Sequence, residues 1–375
     1  MKINHLFAST ATALMATVSV GFVAEAGTIR HDRSDSLYRN LAAGFPSVGY
    51  LSARNSAGGW GCSGTLIARN YVLTAAHCVE NSNVFMNQGT FLLGNQRYSV
   101  NGVAANSNWF SSGGNLGLGV DLAILSLSSS VWNVNPAMLY TSRDEDLKVG
   151  TYVGFGATGT GDTGYIRSDS VKRAGQNIMG VGTRLGWSDR LLVSDFDDPR
   201  LARSSDPLSQ PLNLEYQLGP GDSGGGMFID GRVAGVHSFI SSTDGATNAD
   251  YGDTSASVRV SSSANWIRSA ANYLAQLLGR SNPTIASSSG TTSSGAGWNQ
   301  QADSPLLDDD NWFDDSISVE SFILDELELA DFGSGLVFDG ENLREPQSVP
   351  EPGMVVGLLA LVGLGWRSRK QSKAA

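Results

Sequence analysis

Residues 219–228 read GPGDSGGGMF, and the reading of Ser223 within them decides how the rest of the chain is understood. Glycine supplies 45 of the 375 residues, so a serine set among glycines is weak evidence of chemistry by itself. A serine hydroxyl attacks a carbonyl usefully only when a base takes its proton and hydrogen-bond donors await the oxyanion. The question is whether the chain holds those partners elsewhere.

The histidines are His5, His31, His77 and His237. His5 falls in an amino-terminal stretch that combines Lys2, an apolar run from Leu6 to Val23 and the small-residue site Ala24-Glu25-Ala26. That is the pattern of a secretory signal over residues 1–26, cleaved after Ala26, with a membrane anchor as the alternative. Export would give Cys62 and Cys78 an oxidising compartment, where a bond between them stabilises by about 3 kcal/mol on a chain-entropy estimate. His77 stands in GTLIARNYVLTAAHCV directly before Cys78, so the bond would pin the loop that carries the imidazole. A catalytic imidazole also needs an acid that fixes its tautomer. Asp121 opens the strand-like DLAILSL and is the only acid between Glu80 and Asp144. An unpaired carboxylate among those apolar neighbours would be costly.

TAAHC at 74–78, DLA at 121–123 and GDSGG at 221–225 resemble the three signatures of the chymotrypsin/trypsin-like serine protease family, in the family's order. The resemblance covers roughly residues 30–278. It implies an all-β fold of two packed antiparallel six-stranded β-barrels with a C-terminal helix. The site would lie in the cleft between them, His77 and Asp121 coming from the first barrel and Ser223 from the second. It also implies roles: His77 is general base and then general acid, Asp121 orients it, and Ser223 forms the acyl-enzyme. The N–H groups of Gly221 and Ser223 would form the oxyanion hole, glycine allowing the turn this demands. Ser238, in GVHSFI, resembles the family residue behind the triad that begins the strand against which substrate pairs. No cofactor and no metal are called for.

The chain departs from the family in three places. Only one disulfide can form. The Ile-Val-Gly-Gly start is missing, although in the family that amino terminus pairs with the acid before the nucleophile, here Asp222. The segment TIRHDR is expected to replace it, through the amino group of Gly27 or the side chains of Arg30, His31 or Arg33. The third departure is the substrate pocket. Counting six residues back from Ser223 puts Gln217 at its base; Ser238, Phe239 and Ile240 would form one wall, with Ser255 across from it. A carboxamide cannot offset the desolvation of a substrate ammonium or guanidinium, so cleavage is expected after small or medium uncharged residues. A register slip would instead bring Glu215 to the pocket.

Upstream of residue 280 the runs PSVGYLSA, CSGTLIA, DLAILSL, YVGFGA, RVAGVHSFI and SASVRV read as strands between Gly, Asn and Ser clusters. NWIRSAANYLAQLLG reads as one helix with Ile267, Ala271, Tyr273, Leu274 and Leu277 or Leu278 near one face. Residues 27–280 therefore make the protease-like domain. Residues 281–348 begin with the low-complexity IASSSGTTSSGAG and turn acidic. Between Gln301 and Pro346 fourteen Asp or Glu face Arg344 alone, a net of −13 in a chain whose total is −11. That tail reads as a solvated, partly disordered segment, with a calcium-binding stretch or an intramolecular mask as alternatives. No basic patch with interleaved aromatics is present, which argues against nucleic acid as a partner.

Residues 349–375 hold Pro350-Glu351-Pro352, an apolar run from Met354 to Trp366 and the basic cluster Arg367, Arg369, Lys370. In that order the parts are similar to the PEP-CTERM sorting signal of Gram-negative bacteria. The run is shorter than the roughly 20 residues of an ordinary span, and the basic cluster would stay cytoplasmic. The resemblance implies a transient inner-membrane tether through residues 354–366, cleavage by a sorting protease of the exosortase type, and delivery to the cell surface or extracellular space; a permanent anchor is the alternative. The sequence thus describes an exported serine endopeptidase acting on protein or peptide substrates. The competing description is a catalytically idle surface or matrix module on the same fold.

Overall fold

A computed structural model of the chain describes residues 27–288 apart from 82, 83, 202, 203 and 243, together with the backbone of three short tail strands. The signal-like residues 1–26 and the sorting-like residues 349–375 lie outside the described residues. In chain order, β1 (Gly27–Ile29) and α1 (Asp35–Ala42) form an amino-terminal arm. The first barrel follows with β2 (Val48–Asn55), β3 (Gly58–Ala68), β4 (Tyr71–Thr74), β5 (Gln88–Leu93), β6 (Gln96–Asn106), the short α2 (Ser107–Ser111) and β7 (Ala123–Leu127). Each of these strands pairs antiparallel with two others, and β6 closes on β7, so the six strands form a complete barrel. Closure leaves none of the six as a free edge.

The barrel's filling follows from alternation along the strands. On β2, Leu51 and Ala53 are buried while Ser52 and Arg54 are exposed, the period of two that a half-buried strand requires. Leu51, Leu66, Val72, Phe91, Val103 and Leu125 meet in one core cluster. The end of β3 is buried on both faces, because Leu66 belongs to that interior while Ile67 packs with the C-terminal helix and the second half of the molecule.

The second half is built from β8 (Val149–Gly154), β9 (Ala157–Thr160), β10 (Gly164–Ser168), β11 (Arg173–Ile178), β12 (Leu191–Asp195), β13 (Tyr216–Gln217), β14 (Gly226–Ile229), β15 (Arg232–Ser241) and β16 (Thr254–Arg259). Six of them run antiparallel in the order β11-β8-β14-β15-β16-β12. This is a half-barrel: where a β11–β12 ladder would close it, the Asn177 amide donates to the Asp195 carbonyl instead. The arm supplies what is missing nearby. β1 lies between β9, which it pairs in parallel, and β13, which it pairs antiparallel, in a four-stranded sheet with β10.

α1 is fastened to this half by a buried ion-pair network. The Arg173 guanidinium on β11, fully buried, reaches Asp35 at 2.5 Å and Asp169 at 3.0 Å. Burying three charges is tolerable only because the carboxylates take several guanidinium N–H groups, and removing one partner of such a set strongly destabilises. α3 (Val260–Leu277) closes the domain against both halves. It starts five residues before the expected helix, and its buried face includes Val260, Ala264, Ile267, Ala270, Ala271 and Leu274. Tyr273 is exposed, since the stripe through 267, 271 and 274 turns it outward, and of the pair Leu277 or Leu278 it is Leu278 that is half-buried. No helix among the described residues is long and apolar enough to cross a membrane. In the tail, the backbone of Val319–Ile323 pairs along β6, and Val337–Asp339 pairs with Asn342–Arg344.

Candidate active site

Cys62 and Cys78 form the expected disulfide, tying β3 to the turn that carries His77. Asp121 is fully buried just before β7. Its Oδ1 accepts from the His77 backbone N–H at 3.0 Å, and its Oδ2 lies 2.7 Å from His77 Nδ1. A carboxylate there makes Nδ1 the protonated ring nitrogen and leaves Nε2 as the base. Burial disfavours charge on the ring, but the charge and hydrogen bond of Asp121 outweigh it and, with Glu80, hold the imidazole above its ordinary value. Burial likewise pushes the Asp121 carboxyl up, yet His77 and the Ser238 hydroxyl hold it below the ordinary aspartate range.

Ser238 enters through a β-bulge. The β15–β16 register slips between His237 and Phe239, which takes Ser238 off the ladder, and its Oγ donates to Asp121 Oδ2 at 2.6 Å. His77 and Asp121 therefore come from the first barrel, and the serine that completes the carboxylate's shell comes from the second half.

Ser223 sits in the tight connection between β13 and β14, and its placement is set across the seam. Ser63, beside Cys62 on β3, donates its N–H to the Ser223 carbonyl at 2.8 Å and its hydroxyl to the Gly221 carbonyl at 2.9 Å. The same hydroxyl accepts from the Phe155 N–H at 2.9 Å. Next in line, Gly224 lies against the end of β4: a Cβ there would come within 2.0 Å of Thr74 Oγ1 and 3.0 Å of the Ala75 nitrogen. Only glycine permits this approach, and Thr74 and Ala75 lead directly into His77. From behind, the β15 backbone holds both flanks, with Gly224 N–H donating to His237 O at 2.8 Å and His237 N–H to Gly225 O at 2.9 Å.

Ser223 and Ser238 line one cavity of about 260 Å³, together with Phe239 and Ile240 as expected from the sequence. Tyr165, Leu218, Gly219, Pro220 and Thr247 line it too. Gln217 and Ser255 do not reach the lining. They hydrogen-bond to each other, and the Ser255 hydroxyl accepts from the Leu218 N–H. Glu215 is also buried away from the cavity, with its carboxyl oxygens accepting from the N–H groups of Asp197 and Leu212. No charged side chain is among the lining residues.

The three side chains expected beside Asp222 are engaged elsewhere, while Gly27, whose amino group signal cleavage would free, lies against the Tyr216 hydroxyl. Arg30 bonds Asp32 and the Leu212 carbonyl, His31 Nδ1 meets the Tyr251 hydroxyl at 2.8 Å, and Arg33 bonds Asn213 and Asp32. Asp222 takes the Tyr216 hydroxyl and two backbone N–H groups. The sequence reading looked for a cation because a buried carboxylate usually requires one; neutral donors in sufficient number serve the same end.

Residues 40–197 match the Trypsin family model. The match holds His77 and Asp121 and ends before Ser223. The chain is 38% identical to chymotrypsin-like elastase family member 1 of Rattus norvegicus over 23% of this chain and 33% of that one. For the Homo sapiens protein of that name the figures are 38%, 19% and 29%. The chain thus spans about a third of the length of these relatives. Among solved structures, HL collagenase is 18% identical with a TM-score of 0.48, covering 68% of this chain and 97% of its own. Neuropsin, a serine protease expressed in the limbic system of mouse brain, is 16% identical with a TM-score of 0.46, covering 62% and 97%.

Ser63, Tyr216 and His237 were not assigned from the sequence. His237 is fully buried, its ring stacked 5.4 Å from Tyr152 and its Nδ1 3.1 Å from the Ser257 hydroxyl. Burial pushes its imidazole down from 6.5 to about 3, so it stays neutral in the fold. Between those values the unfolded chain binds a proton that the folded one refuses, and stability falls as pH drops through the window. His237→Phe, which keeps the stacking, should therefore flatten the decline in denaturation midpoint between about pH 7 and 4. Equal slopes for variant and parent would show that the ring is not held neutral.

Proposed function

We propose that the chain is an exported serine endopeptidase that hydrolyses peptide bonds through an acyl-enzyme. The observation that carries this reading is the 2.7 Å contact between His77 Nδ1 and a buried Asp121 whose other partner, Ser238, shares a cavity with Ser223. In the reaction, His77 Nε2 takes the Ser223 proton as Oγ attacks the carbonyl, then returns it to the leaving amine. Asp121 offsets the imidazolium charge in between. The N–H groups of Gly221 and Ser223 receive the oxyanion, with the Gly221 carbonyl tied back by Ser63. Deacylation repeats the sequence with water as nucleophile. The elastase relatives are proteases by name, which supports peptide as the substrate class.

Supply to the cell exterior would use residues 1–26 as a signal peptide. The three-part carboxyl terminus would act as a sorting signal of the PEP-CTERM type, tethering the protein in the inner membrane until a sorting protease releases it.

Ser223→Ala, His77→Ala and Asp121→Asn should each lower peptide hydrolysis by about 10⁴-fold, with the fold retained by circular dichroism. In the parent enzyme kcat/KM should fall as pH drops through a midpoint above 6.5, because a protonated His77 cannot accept the Ser223 proton. Near-normal hydrolysis by purified Ser223→Ala, or an acid limb well below 6.5, would contradict the assignment and favour an idle module.

The cavity also supports a specificity. Leu218, Phe239 and Ile240 line a modest, uncharged space, where an unpaired substrate cation would be desolvated without compensation. A peptide library should show cleavage after small or medium uncharged residues. A dominant preference for Arg or Lys would overturn this part of the reading.

A further inference from the structure

Asp222 immediately precedes Ser223, is fully buried, and has only neutral donors as hydrogen-bond partners among the described residues. Oδ1 accepts from the Gly156 N–H at 2.8 Å and Oδ2 from the Gly219 N–H at 2.9 Å. The Tyr216 hydroxyl lies 3.2 and 3.1 Å from the two oxygens, bridging them. Its proton is the one side-chain donor in this shell.

Tyr216 is held so that it can do little else. It is fully buried on β13 and pairs with Ile29 of β1. At the hydroxyl end, the arm closes over it: a Cβ on Gly27 would lie 2.0 Å from both Cζ and the hydroxyl oxygen. At the other end Gly175 of β11 leaves no room, a Cβ there falling 2.4 Å from the Tyr216 Cβ. The ring cannot swing away, and the hydroxyl faces the carboxylate.

The carboxylate in turn closes the nucleophile's turn. Besides accepting from Gly219, Asp222 donates its own N–H to the Gly219 carbonyl at 3.0 Å, and the Ala157 N–H of β9 donates to the Pro220 carbonyl at 2.6 Å. Resting on the proteolytic reading above, we propose that Tyr216 is a positioning residue of the reaction. Seated by the amino-terminal strand, its hydroxyl holds Asp222 and with it the Gly219–Ser223 turn.

The latch has a signature in its titration. Burial lifts the Asp222 carboxyl to about 6, opposed by the Gly219 and Gly156 amides and by Tyr216. Of the charged groups packed around the pair, Arg173 on β11 favours the carboxylate and is itself engaged by Asp35 and Asp169. Asp169 and Asp222 both oppose ionisation of the Tyr216 phenol, which stays a donor. Deleting the hydroxyl removes a donor to the charged form and moves the Asp222 carboxyl higher still.

The test is Tyr216→Phe in the whole exported chain. We expect kcat to fall by about tenfold or more with KM nearly unchanged, since the oxyanion donors act on the transition state. The acid limb of kcat should move to higher pH than in the parent. Unchanged kcat with an unmoved limb would overturn the proposal, and so would a loss confined to KM. A second arm needs no catalysis. The difference in thermal midpoint between parent and Tyr216→Phe should widen from about pH 5 to pH 8 and lose that pH dependence in an Asp222→Asn background. A difference indifferent to pH or to Asp222→Asn would show that the hydroxyl does not hold the carboxylate. If the parent hydrolyses nothing, the protease reading fails on its own, and this thermal arm still decides the latch.

Discussion

Everything at the site depends on how Ser63 joins the two halves of the molecule. His77 and Asp121 are fixed in a closed barrel, whereas Ser223 stands on a turn of a half-barrel. Ser63 N–H and Oγ reach the carbonyls of Ser223 and Gly221 at 2.8 and 2.9 Å, so a strand of the first barrel sets the position of a turn in the second half. Gly224 packed on Thr74 and Ala75 enforces the same registration by shape. Hydrogen bonds of this kind are individually modest, about 1 kcal/mol. Their effect here is geometric, since a nucleophile misplaced by about 1 Å loses far more in rate than in stability.

Three buried titratable groups surround that seam, and their environments drive them apart. Asp121 has a histidine ring and a hydroxyl that favour its charge, and stays below the ordinary aspartate value. Asp222, served by amides and a phenol, is lifted to about 6. His237, packed behind the turn with one hydroxyl at Nδ1, is held neutral. The first of these couples to the proton that moves in the proposed reaction. The other two shape the backbone around Ser223, and acid should affect them in opposite directions: protonation relieves a buried Asp222 and opposes a buried His237.

The barrel strands were legible where hydrophobic alternation is clean, as on β2, or where both faces are buried, as on β3 and β7. Motifs at 74–78 and 121–123 pointed to the His77–Asp121 pair, which the fold brings to 2.7 Å, and 221–225 to a serine that lines the neighbouring cavity. Other features left no such mark. β1 adds to a sheet through backbone pairing, which Gly-Thr-Ile does not advertise. Ser63 and Tyr216 act through partners about 90 to 160 residues away or across a turn, and only the fold reveals those distances. Counting back from Ser223 puts Gln217 in the pocket, whereas the GVHSFI resemblance points to Ser238, Phe239 and Ile240, which line the cavity. Leu218 lines the cavity, while the Gln217 carboxamide is buried against Ser255. On the helix, Tyr273 lies off the buried stripe although its apolar ring fits the expected face.

The claim that joins these observations is that Ser223 is an assembled nucleophile. A fluorophosphonate probe tests it most directly, since covalent capture requires an activated hydroxyl and an ordered oxyanion site together. Peptide mapping of the labelled protein should find the phosphonyl group on Ser223 in near-stoichiometric yield, declining at low pH as His77 protonates. A correctly folded protein that takes no label, or takes it on another serine, would contradict the account.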